Sequence, residues 1–359
     1  MQEGNHHMKP AKRTLSAALA IMLALTLLVP ASAAFPTGER PTWLSPNRVR
    51  LQHLPVNLAV LGFVETSLLL LLHNGELVHE QYRRSYNETT LHPMNSATKS
   101  FAATMIGVAI QDGYIDCISQ KVIDFFPDAT IAPDQESKHD MTIEHLLTMR
   151  SGLPWLVQRG SLDFMLCEVD SGLAAFETPQ HSPPGRQWVY DGGAGIQILV
   201  AIVERESGRC YYEYIRERVF EPLGMESAHW QIFTADNRVA GGMGLYMNVY
   251  DMLRYGQLYL YDGIWEGQRI LPEGWAAQTW DGDEFAIFGL FSYNLLWWGN
   301  FSYRRAGPSS RAQGFAGQLI SVYPETGLVM ARTGTGPVGN GAGGWPLILR
   351  NGRFLYIFP

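Results

Sequence analysis

Ser96-Ala97-Thr98-Lys99-Ser100-Phe101-Ala102-Ala103-Thr104-Met105 decides how the rest of the chain is read. Phe101, Met105, Val108 and Ala109 recur at helical spacing and Asp112-Gly113 ends the run. The pattern predicts a helix beginning near Ser96. Within it, Ser96 and Lys99 form a Ser-x-x-Lys pair. Positions i and i+3 share a helix face, so the ammonium can reach the hydroxyl. The first turn also directs free backbone N–H groups and the positive end of the helix dipole to the same place. A serine hydroxyl becomes a nucleophile only when a neighbouring base takes its proton. A lysine can do so when burial or nearby charge weakens its hold on its own proton, and Phe101, Ala102 and Met105 supply apolar surroundings. The chain has only five lysines, Lys9, Lys12, Lys99, Lys121 and Lys138, against 22 arginines. With three lysines beyond residue 33, roughly 0.2 such pairs are expected by chance at ordinary serine content.

Upstream, Asn74-Gly75 lies between apolar runs and signals a hairpin of strands Ser67–His73 and Leu77–Tyr82. Downstream the pattern turns helical: residues 143–150 capped by Thr142, 194–206 stopped by Gly208, 211–220 closed by Pro222 and Gly224, and 249–261 capped by Asn248. Strand signals then return in the aromatic-rich run 287–298, and in 317–323 and 328–333, which flank the turn Pro324-Glu325-Thr326-Gly327. Strands, a helical run and strands again predict an α/β (α+β) fold whose sheet draws on both chain ends. The frame is expected at about residues 50–95 and 230–335, with an all-helical insert at about 100–228. The glycine-rich tail Gly334–Gly344 reads as irregular and is followed by a short apolar strand near Arg353–Phe358. This ending leaves open what covers one face of the sheet.

Composition narrows the function. The 359 residues are 46% hydrophobic, enough to fill a sizeable core. A formal charge of -7, from 27 Lys+Arg and 34 Asp+Glu, argues against a nucleic-acid partner. Cys117, Cys167 and Cys210 contain no CxxC pair, so neither a disulfide scaffold nor a cysteine zinc site is indicated. Lys9, Lys12 and Arg13, the apolar run Leu15–Val29 and Ala31-Ser32-Ala33 read as a secretory signal peptide over residues 1–33. Residues 34–359 are then the mature domain, with a charge near −9, secreted or periplasmic. No membrane contact is expected unless the signal stays uncleaved as an anchor. In an oxidising compartment one disulfide could form, and its pairing stays open.

Several further segments join the Ser-x-x-Lys pair. They are the 68–82 hairpin, Met141-Thr-Ile-Glu-His-Leu-Leu-Thr-Met-Arg-Ser-Gly-Leu153, Pro222-Leu-Gly-Met225, Gly241-Gly-Met243, Asp251-Met-Leu-Arg-Tyr-Gly-Gln257 and Gly317-Gln318 with Pro324-Glu325. Together they resemble the serine β-lactamase and penicillin-binding superfamily, in its class C-related, esterase and aminohexanoate-oligomer hydrolase-like branch. The resemblance spans about residues 60–335. It implies a β-lactamase/transpeptidase-like fold, an antiparallel sheet flanked by helices with an inserted helical subdomain. It implies a serine hydrolase acting on a small ester, amide or peptide, with no metal and no organic cofactor. Ser96 is the implied nucleophile and Lys99 its base. Tyr190, in Tyr190-Asp191-Gly192, takes the place of the tyrosine that shares the nucleophile's proton and passes it to the leaving group.

The chain departs from that family in two places. Gly192 stands where an asparagine usually contacts the acyl amide. Asp191, beside it, would hold Lys99 protonated if it pointed inward, and is expected to point outward. No Lys-Thr-Gly or His-Thr-Gly occurs. Gly314-Phe315-Ala316-Gly317-Gln318 is similar to the glycine-rich version of that strand in aminohexanoate hydrolase-like relatives. It offers Phe315 and Gly317 to substrate, with Gly192 opposite. The backbone N–H groups of Ser96 and Ala316 would make the oxyanion hole. Without the Lys/His-Thr pair an anionic β-lactam loses an anchor worth about 1.5–3 kcal/mol, unless Arg304, Arg305 or Arg311 replaces it. β-Lactamase activity is therefore expected to be weak or absent. A catalytically degenerate sensor or binder of cell-wall peptides is the alternative. Tyr293, Trp297 and Trp298 could line a cleft, but core packing is their expected role.

Overall fold

A computed structural model describes residues 66–83, 85–155, 160–280, 285–286, 291–301, 309–334, 345–349 and 353–357. The expected signal peptide, its cleavage site, and Arg304 and Arg305 lie outside these residues. β1 (Thr66–His73) and β2 (Glu76–Tyr82) form the expected hairpin. Asn74 and Gly75 both have positive φ, 49° and 82°, the geometry that lets a two-residue turn follow the strand twist.

The main sheet adds β3 (Phe285–Ala286), β4 (Phe291–Asn294), β5 (Trp297–Phe301), β6 (Ser310–Gly314), β7 (Gln318–Tyr323) and β8 (Leu328–Gly334). Its order is β2-β1-β8-β7-β6-β5-β4-β3, and every pairing is antiparallel. The N-terminal hairpin thus docks on the last of these strands, with Leu70 opposite Ala331. A small second sheet pairs His92–Pro93 with Leu245–Met247 and His229–Trp230. Trp345–Leu349 and Arg353–Ile357 pair as a hairpin where the sequence suggested one short strand.

Three long helices organise the core: α1 (Thr98–Gln111), α2 (Ala194–Ser207) and α3 (Val249–Leu260). α1 is buried from Thr98 to Ala109, so it is a central helix and not a surface one. α3 lies on the sheet where Gly256 meets it. A Cβ there would come within 2.5 Å of Val329 and 3.1 Å of Ile320. Leu68, Leu70, Ile320, Val329 and Ala331 face this core. Leu69, Leu71, Leu319 and Met330, on the opposite face, are equally buried, so that face is covered.

Two expected helices differ in detail. The helix capped by Thr142 is short, Ile143–Leu147, because Thr148 already leaves helical geometry. The helix from Tyr211 runs past Pro222 to Leu223 through a π turn, Arg216–Phe220, and ends at left-handed Gly224. A proline fits at the first turn of a helical segment, where no N–H is needed. The wide turn ahead of Pro222 provides that fresh start. All three cysteines are free thiols.

Candidate active site

Ser96 sits in a single 3-10 turn, Asn95–Ala97, immediately before α1. The turn is clamped from both sides. Met94 N–H donates to Leu245 O at 2.8 Å, holding it to the small sheet. Asn95, at φ 50°, donates through Nδ2 to Phe315 O at 2.9 Å, tying it to the end of β6. Gly314 passes so close that a Cβ would lie 2.0 Å from Met94 O. Ala316 and Gly317 follow with φ of 64° and 95°, a left-handed kink that turns the chain beside Ser96. The residues expected to surround the nucleophile, Phe315, Ala316 and Gly317, are therefore brought to it. Phe315 is exposed and Gly317 is buried.

Lys99 is the second residue of α1, one turn after Ser96, and is buried. Its Nζ donates to Gly242 O at 3.0 Å and lies 5.3 Å from the Tyr190 ring centroid. Gly242 allows this approach. A Cβ on it would be 3.2 Å from Lys99 Nζ and 3.2 Å from Gly193 Cα. The Gly241-Gly-Met243 motif was legible in the sequence, but its role in holding Lys99 was not. Tyr190 precedes α2 and is half-buried. Its ring packs on Trp298 at 5.9 Å, Trp188 at 6.2 Å and Tyr293 at 6.3 Å. Tyr293 and Trp298 thus belong to the core and to the wall behind Tyr190 at once, whereas Trp297 stacks on Tyr255 inside the core. Trp188 was not singled out from sequence, because nothing in a lone tryptophan two residues before a tyrosine reveals a shared wall.

Two expectations are corrected here. Asp191 points inward and is fully buried. Its Oδ1 accepts the Gly193 N–H at 2.7 Å, so the side chain closes an Asx turn at the entry to α2, whose N-cap Gly193 has no side chain. Burial pushes its carboxyl above the usual range; Lys99's charge and the Gly193 and Gly195 N–H groups act against that rise. Arg311 cannot serve as an anion anchor beside Ser96. It alternates with Ala312, which faces the core of α1, so its side chain leaves on the other face of the sheet, where it is buried and donates to Gly299 O at 2.6 Å. Gly192 is buried beside Asp191 and brings no side chain to the site.

The arrangement offers a hydroxyl at a helix start, a buried ammonium one turn on, a phenol beside it and a kinked glycine-rich strand opposite. Comparison with known proteins bears on the family and the fold. Residues 61–350 match the Beta-lactamase family. The 6-aminohexanoate-dimer hydrolase of Paenarthrobacter ureafaciens is 25% identical over 305 residues, 76% of this chain and 73% of that protein. Penicillin-binding protein 4 of Amycolatopsis lactamdurans is 24% identical over 73% of this chain and 80% of its own. The fold is similar to that of a family VIII carboxylesterase, with a TM-score of 0.65 over 82% of this chain and 94% of that one, at 16% identity. With its match running through nearly all the described residues, the chain belongs to the Beta-lactamase family and is a serine hydrolase of that fold.

Proposed function

We propose that this protein cleaves an ester or amide bond through an acyl-enzyme on Ser96. The observation that carries the reading is the placement of Lys99, buried one turn after Ser96 with its Nζ held between Gly242 O and the Tyr190 ring. In this reading Ser96 Oγ attacks the substrate carbonyl while its proton passes to the Lys99–Tyr190 pair. The N–H groups of Ser96 and Ala316 receive the oxyanion. When the tetrahedral adduct collapses, the pair returns the proton to the departing alcohol or amine. Water then attacks the acyl-enzyme by the reverse proton path. The left-handed kink at Ala316 supports its N–H as the second donor. Residues 1–33 act as a signal peptide, and the mature domain works outside the cytoplasm.

The wall of Trp188, Tyr190, Tyr293 and Trp298 favours an uncharged substrate with an apolar or aromatic portion. Arg311 faces away, so nothing contributed by that residue favours an anionic β-lactam. The test is a panel of p-nitrophenyl esters, D-amino-acid amides and penicillins, with intact-mass detection of the adduct. Turnover of an ester or amide, abolished in Ser96→Ala together with fluorophosphonate labelling, is the expected result. Full turnover by Ser96→Ala sinks the reading. A stable adduct with no turnover of any substrate favours the degenerate sensor.

A further inference from the structure

The buried carboxylate beside Tyr190 has a place in the fold that its turn before α2 does not exhaust. Asp191 Oδ1 is committed to the Gly193 N–H. Oδ2 is buried and has no hydrogen-bond partner among the described residues. It sits against the start of α2, where a Cβ on Gly195 would lie 2.5 Å from it, with Leu146 close by. The Asp191 backbone is held by a bridge to Trp155. The groups that face it are few. They are Lys99 from α1, the adjacent Tyr190, Tyr293 from β4, whose phenol feels the carboxylate's charge, and the Gly193 and Gly195 N–H groups from α2. Among the described residues that face it, Lys99 is the cation. The two meet around one contact: Asp191 Oδ1 holds the Gly193 N–H, and a Cβ on Gly242 would lie 3.2 Å from both Gly193 Cα and Lys99 Nζ. A buried carboxylate without a counter-charge would be expelled or neutralised.

We propose that Asp191 is a positioning and charge-setting residue: its carboxylate is the counter-charge of Lys99 and fixes the proton balance of the Lys99–Tyr190 pair. The inference rests on the acyl-enzyme reading above. Removing a neighbouring negative charge eases loss of the pair's proton, whichever of the two groups holds it. The expected sign is therefore a shift of the acid limb of reactivity to lower pH.

The experiment measures fluorophosphonate labelling of Ser96 against pH in wild type and in Asp191→Asn, with the adduct located by peptide mass. Asparagine keeps an acceptor for the Gly193 N–H, so a purely structural turn would leave the limb where it is. The acid limb is expected to fall by about 1 pH unit, making labelling about tenfold faster below the midpoint. A folded Asp191→Asn protein with an unmoved limb overturns the proposal. Should that variant not fold, infrared spectra of wild type and Lys99→Met at neutral pH decide it. Relative to wild type, a protonated-carboxyl band is expected to gain intensity in Lys99→Met, where the counter-charge is gone; no gain overturns the proposal. Labelling that persists in Ser96→Ala would instead defeat the acyl-enzyme reading, whereas a Ser96 adduct with an unmoved limb defeats only the role of Asp191.

Discussion

Gly314 is where the requirements of a single residue are sharpest. Its missing side chain lets the end of β6 touch the turn that carries Ser96, with a would-be Cβ 2.0 Å from Met94 O and 3.2 Å from Ala97 N. Both are backbone atoms, so no rotamer change relieves the clash. Gly314→Ala must push the strand and the Ser96 turn apart. The expected result is a loss of about 1–3 kcal/mol of stability in urea unfolding and at least a tenfold drop in Ser96 labelling, about 1.4 kcal/mol of barrier. Unchanged labelling would show that the spacing of strand and turn does not matter. Asp191 teaches a related lesson. The sequence showed a carboxylate next to the tyrosine, but a residue in a loop has no periodicity from which to read its direction. Only the packing of α2, α1 and the glycines at 193, 195 and 242 turned it inward.

At the scale of elements, the clearest signals are the ones built from local chemistry. Asn248 accepts the Asp251 N–H at 2.9 Å through Oδ1 and begins α3 where the sequence placed it. Asn248→Ala is expected to lower stability by about 1 kcal/mol, a fall of about 2 °C in Tm, read by differential scanning calorimetry. Asn248→Asp should retain most of it. Thr142 makes a capping box in which His145 takes the usual Glu or Gln position: Thr142 N–H donates to His145 Nδ1 at 3.1 Å. Where local rules compete, they failed. Pro222 reads as a terminator, but a proline also tolerates a first turn, and the π turn before it let the helix continue. The rule for Gly208 held, since its left-handed φ of 67° ends α2.

For the whole molecule, the site lies where four separate segments meet: the Ser96 turn and α1, the loop before α2, the Gly242 loop and the β6–β7 kink. Its integrity is tied to the core just behind it. His92, four residues before Ser96, is buried, and its Nε2 lies 3.3 Å from Thr333 Oγ1 on β8. Burial lowers its pKa to about 4 from 6.5. The unfolded chain therefore binds a proton that the folded one refuses between those values. The stability linked to His92 is full above about pH 6.5 and is lost as pH falls toward 4, a change of about 3 kcal/mol. Urea midpoints measured from pH 4 to 7 should fall more steeply with acid in wild type than in His92→Phe. Equal slopes would contradict this linkage.

The sequence by itself determined the hairpin, the three long helices with Ser96 at the start of the first, and the strands Gln318–Tyr323 and Leu328–Gly334, because helix period, Asn-Gly turns and caps act over a few residues; it missed Ser310–Gly314 and read Phe291–Asn294 and Trp297–Phe301 as one run. The scarcity of lysine made Ser96-x-x-Lys99 stand out before any contact was known. The tertiary structure alone decided that Gly242 holds Lys99, that Trp188 and Trp298 back Tyr190, that Arg311 turns away from the site and that Asp191 turns into it. Each of these depends on segments far apart in the chain approaching within a few ångströms. Steric exclusion and burial set such directions, and neither leaves a periodic mark in the sequence.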